Sequence, residues 1–170
     1  MKPHDPIVIK KIIAEIRAQL KKLDELFVEW ENHRLGEWTD TFFLRGKGSV
    51  FHDFYCGVEN IFKRIAPKLN GGLPEGVAWH KILLDNMRLE IVEVRPAVVS
   101  VETAKLLEEF LDFRHKFRHI YGFDLDFKKL DALDQIYPET HKQFVSDINK
   151  FIEFLNGLVK EIEQSSSDSG

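Results

Sequence analysis

A chain of 170 residues can bury one real core, and 44% hydrophobic against 31% charged residues is the balance of a globular domain. A net charge of −4 excludes the broadly basic surface of a nucleic-acid-coating protein, while leaving room for a local basic site. The single Cys56 excludes an internal disulfide, and the apolar N-terminal stretch is too short and too charged for a signal peptide or membrane span, so a cytoplasmic location is expected.

In chain order, Asp5 as N-cap and Pro6 at the first helical position predict a helix over about 6–32, with Ile9, Ile16, Leu20, Leu23, Phe27 and Trp30 on one face. Arg45-Gly-Lys-Gly-Ser49 lacks the phosphate-loop pattern and reads as a turn or kink, with Ser49 capping a second helix. That helix carries Phe51, Phe54, Tyr55, Val58, Phe62 and Ile65 and is expected to stop at Pro67 and Asn70-Gly-Gly. A shorter helix is predicted over roughly 75–91. The apolar run Val98–Val101 resembles a strand, but no second such run exists to pair with it. A fourth helix starts near Ser100 or Glu102 and is expected to end at Gly122. The last carries Phe144, Ile148, Phe151 and Leu155, with Pro138 as a candidate break. Residues 1–164 thus read as one all-α domain, an antiparallel bundle of four to five helices, followed by a disordered polar tail over 165–170.

The fourth helix breaks its own amphipathic pattern. On a wheel of about 100° per residue, Leu106, Leu107, Phe110, Leu111, Phe113 and Phe117 define an apolar sector, and Arg114 and Arg118 both fall inside it. An arginine on an apolar face needs an anion or hydrogen-bond partner. The structural answer is an ion pair of Arg114 with Asp53 or Glu59 from the second helix, or complementation of the helix dipole. The functional answer is a partly open face whose arginines await phosphate. Residues 112–129 hold five Lys or Arg against three Asp, a net +2 inside an acidic chain.

His115 and His119 lie four residues apart on a neighbouring edge of the wheel, a spacing that suits two metal ligands. Lys116 and Arg118 between them oppose a bound cation, and the chain has no Glu-x-x-His pair, so no metal or cofactor is assigned. An acid–base role for His119 near neutral pH is the better reading. On an ideal helix Arg114 and His119 stand about 140° apart, so they meet only if the helix loosens before Gly122 or a second subunit completes the cleft.

Arg114-His-Lys-Phe-Arg-His119-Ile-Tyr121 resembles the R-x4-H-x-Y motif of HEPN-domain toxins of the HepT type. His52-Asp-Phe-Tyr-Cys-Gly-Val-Glu-Asn-Ile-Phe62, Trp79-His80, Val94-Arg-Pro-Ala-Val98 and Tyr121-Gly-Phe-Asp124 extend the resemblance over most of the chain. It implies a HEPN-like bundle, dimeric through the motif helix, and a metal-independent endoribonuclease acting as the toxin of a type II-like toxin–antitoxin system. The implied partners are RNA, a second copy of the chain, and an MNT-type nucleotidyltransferase antitoxin that adds AMP to Tyr121; no DNA or membrane partner is implied. Arg114 and His119 are then catalytic, with His115, Lys116, Arg118 and Asp53 binding substrate or supporting the site. The rival expectation is a non-catalytic HEPN-like nucleotide-binding or interaction module that partners a nucleotidyltransferase. His4, His33, His80 and His141 belong to no constellation visible in the sequence.

Overall fold

The computed structural model describes residues 5–119 and 125–167, which form α1 (Pro6–Asn32), α2 (Thr41–Leu69), α3 (Trp79–Met87), α4 (Val101–Phe117) and α5 (Phe127–Ser167). Each long helix starts where its chemistry allows. The Asp5 carboxylate accepts from the Ile7 N–H at 2.8 Å with Pro6 in the first turn, and the Asp40 carboxylate accepts from the Phe42 N–H at 2.9 Å. The Ser100 hydroxyl accepts from the Thr103 N–H at 3.1 Å to open α4.

The helices run up and down. Lys10 of α1 meets Glu163 of α5 at 2.6 Å, while Trp30 at the other end of α1 donates to Asp134 near the start of α5 at 2.6 Å. Those two helices are therefore antiparallel. Arg64 of α2 reaches Glu15 of α1 while Lys47 of α2 lies over Trp30 of α1, and Lys129 of α5 reaches Glu109 of α4 while Asp147 of α5 accepts from Thr103 of α4, so both of these pairs are antiparallel as well. Helix α2 touches all four of the others, with α3 packed against α2 and α4. Its residues Phe51, Phe54, Tyr55 and Phe62 are fully buried with Phe110 of α4 and Tyr137 and Phe144 of α5, so the rings make one continuous core.

Several sequence expectations change. Arg45–Ser49 is neither turn nor kink: α2 begins at Thr41, capped by Asp40 rather than Ser49. A Cβ at Gly48 would sit 2.8 Å from Cε2 of Phe117, and one at Gly57 would sit 2.5 Å from Cδ2 of Leu23, so these glycines let α4 and α1 approach the backbone of α2. Pro67 lies inside α2, which ends two residues later at the turn made by Gly71 and Gly72, both at positive φ. Pro138 does not break α5; Tyr137, His141 and Phe144 are buried on both sides of it and hold the helix in place. Helix α3 is shorter than expected, because the buried Arg95 guanidinium takes the carbonyls of Asn86 and Leu89 at 2.9 and 2.8 Å. Val98 and Val99 make no strand; both are buried and donate to the Met87 carbonyl. Ser165 to Ser167, expected in the disordered tail, continue α5 with their hydroxyls donating to carbonyls four residues back.

Candidate functional site

The wheel anomaly on α4 resolves residue by residue. Leu107, Phe110, Leu111 and Phe113 are buried as the apolar sector requires, and Arg114 is buried with them at 8% exposure. Arg118 is not. Helix α4 ends at Phe117 rather than Gly122, and the Arg118 and His119 N–H groups close a turn on the carbonyls of Arg114 and Lys116 at 3.3 and 3.0 Å. Arg118 keeps helical backbone angles as the C-cap, yet its side chain is exposed, as are those of His115, Lys116 and His119. Tyr121 and Gly122 lie outside the described residues.

Arg114 meets Glu59, one of the two structural partners, Asp53 or Glu59, that its position on the wheel suggested. Its Nε donates to Cys56 Sγ at 3.3 Å and its Nη1 to Glu59 Oε2 at 3.4 Å. The same Nη1 lies 3.1 Å from Nδ1 and 3.5 Å from Nε2 of His80, against the imidazole ring. Nη2 makes no hydrogen bond among the described residues. A two-pronged fork is therefore only half available, since one prong is committed within the chain.

Glu59 is the hub. At 2% exposure it binds Lys63 Nζ through Oε1 at 2.8 Å, while Oε2 takes both His80 Nδ1 and Arg114. Burial alone would push its carboxyl up, but the hydrogen bonds from Lys63 and His80 and the charge of Arg114 outweigh that and hold it below the usual carboxylate range. Burial pushes His80 below its ordinary value; the charges of Arg114 and His115 add to this and Glu59 opposes it. The result is an ionised carboxylate beside a neutral imidazole near pH 7.

Aromatic contacts fix the assembly from outside. The Trp79 ring lies against His80 at a tilt of 30° with centroids 3.6 Å apart, Lys63 sits 4.8 Å over Trp79, and His115 meets His80 edge-on at 5.2 Å. Asp53, expected as a supporting residue, is not brought to Arg114: it is exposed and pairs with His52 at 3.1 Å. His52 in turn lies over Phe117 at 5.5 Å and within 3.9 Å of Cys56. Among the described residues, no three His, Cys, Asp or Glu side chains gather as a metal site.

His80, Lys63 and Cys56 were missing from the sequence reading of the site, and Glu59 figured in it only as a structural partner. A signal existed for two of them. Glu59 lies four residues after Tyr55 and three before Phe62, inside the apolar stripe of α2, and His80 precedes Leu83 and Leu84 at the same helical spacing. Each repeats the oddity that singled out Arg114.

Residues 47–155 match the model of a family described as HepT-like protein, a span that covers more than half of the chain and contains Glu59, His80 and Arg114. No curated protein and no solved structure matches the chain.

Proposed function

Because this chain belongs to the HepT-like family, we propose that it is a metal-independent endoribonuclease, the toxin of an AMPylation-controlled toxin–antitoxin pair. The observation that carries this reading is Arg114, held in a buried cluster with no hydrogen bond at Nη2 among the described residues, five positions before the exposed His119. Cleavage without a metal needs the 2′-OH to lose its proton as its oxygen attacks the adjacent phosphorus. His119 takes that proton, the new O2′–P bond forms, and the P–O5′ bond breaks as O5′ takes a proton from water, leaving a 2′,3′-cyclic phosphate and a 5′-hydroxyl. Arg114 Nη2 donates to the phosphoryl oxygens as their charge grows. His115, Lys116 and Arg118, all exposed beside it, contact flanking phosphates.

Two copies of the chain share one cleft in this reading, and an MNT-type nucleotidyltransferase silences it by adding AMP to Tyr121, placing a phosphate among the same cations. Purified protein incubated with RNA in EDTA should cleave it, and His119→Ala should not. Equal cleavage by the variant, or none by wild type, would sink the nuclease. Mass spectrometry after incubation with the cognate antitoxin, ATP and Mg²⁺ should find added AMP on the peptide containing Tyr121, and light scattering should find a dimer.

The Glu59–Arg114 pair favours a second reading, a non-catalytic HEPN-like module in which Arg114 serves the fold alone. Intact RNA in the same assay, with a folded wild-type protein that still binds its nucleotidyltransferase, would select it.

A further inference from the structure

Resting on the nuclease reading, we propose that Glu59 and His80 are positioning residues, which clamp the Nη1 side of the Arg114 guanidinium so that Nη2 alone meets the substrate phosphate. Three observations converge. Glu59 and His80 come from different helices, α2 and α3, and both close on the one nitrogen Nη1 of a residue from α4. The clamp is itself braced, because Lys63 holds the second oxygen of Glu59 and Trp79 covers the His80 ring. Nη2 has no partner among the described residues, although the neighbouring groups use Nε and Nη1.

The chemistry of the clamp is selective. Nδ1 of His80 cannot both donate to Glu59 and accept from Arg114, and the carboxylate is the stronger acceptor. His80 therefore turns its Nδ1–H to Glu59 and offers its ring to Nη1, a contact that holds while the imidazole is neutral. A free arginine would lose its rotamer freedom on meeting phosphate; here that freedom is already lost before substrate arrives, so binding energy goes into the reaction step rather than into ordering. A buried ion pair contributes little net stability over apolar packing, so orientation is its larger consequence.

The test is chemical rescue. Glu59→Gln and His80→Asn, each shown folded by circular dichroism, should lower the single-turnover rate of RNA cleavage roughly 100-fold with KM little changed, the size of effect expected when a reacting group is misplaced. Arg114→Ala should regain cleavage when free guanidinium is added at non-denaturing concentration. The double variant Arg114→Ala/Glu59→Gln should not, because the carboxylate that seats the guanidinium is gone. Equal rescue with and without Glu59, or wild-type rates in folded Glu59→Gln and His80→Asn, overturns the proposal. Should Glu59→Gln fail to fold, His80→Asn and its double variant with Arg114→Ala decide the question alone. If wild type cleaves nothing, the nuclease reading fails by itself. The clamp is then read from binding of an uncleavable 2′-O-methyl RNA: folded His80→Asn should bind roughly tenfold more weakly, and unchanged binding overturns the clamp too.

Discussion

At the scale of single residues, Glu59 and Arg114 are paired but not equivalent. Glu59 holds three cationic or donor groups, so Glu59→Ala leaves Arg114 buried without a counter-charge and should cost about 3–5 kcal/mol. Arg114→Ala leaves Glu59 with Lys63 and His80 and should cost only about 1.5–3 kcal/mol, the worth of hydrogen bonds to a charged group. Urea unfolding of the two variants measures this order, and the reverse order would mean that Arg114 carries the cluster. Acid should also weaken the protein. His80 and His141 are both pushed below their ordinary 6.5, chiefly by burial, so the unfolded chain takes up their protons first. Their contribution is complete above 6.5 and is lost as the pH falls through their lower folded values; Glu59, held below 4.5, adds a later loss of the same sign. A melting temperature that stays flat from about pH 7 down to about pH 5 would contradict this.

At the scale of elements, α2 shows how two glycines in one helix can have opposite meanings. Gly46 is exposed with nothing within 4 Å of a built Cβ, so Gly46→Ala should stabilise the fold by about 0.5–1 kcal/mol through helix propensity. At Gly57 the same change drives a methyl against Leu23 at 2.5 Å, and overpacking of about 1–3 kcal/mol should cancel or exceed the gain. Thermal melts of the two variants should therefore move in opposite directions, or upward for Gly46→Ala alone. The sequence showed two glycines near the start of the second helix and suggested a turn. What it could not show was Phe117, 69 positions after Gly48, whose ring needs the space a Cβ would fill.

At the scale of the whole molecule, Lys47 and Asp134 join three helices. Lys47 is buried, with its ammonium 2.7 Å from Asp134 and over the ring of Trp30 at 5.1 Å, while Trp30 donates to the same Asp134 oxygen. Asp134→Ala strands a buried cation and an indole N–H together and should cost about 3–5 kcal/mol. Lys47→Met, similar in volume and apolar, leaves Asp134 with the Trp30 donor and should be near neutral or stabilising. Guanidinium unfolding of both variants measures the contrast; equal losses would mean that the pair acts through shape rather than charge.

A count of four to five helices, the N-cap at Asp5, a helix start near Ser100 or Glu102, the apolar stripes and the family were all legible in the sequence, because periodicity, capping and a local motif are short-range properties of the chain. Arg114 announced itself by lying on the wrong face of its helix, and even its partner Glu59 was foreseeable on the same ground. Tertiary structure alone decided that α4 ends at Phe117, and that Arg114 is buried while Arg118 and His119 stay exposed although all three share one segment. It also brought His80 from α3 onto the guanidinium, a meeting across 34 positions that no local pattern encodes. Which nitrogen of Arg114 remains for a ligand depends on which neighbours have taken the others, and only the packed bundle chooses those neighbours.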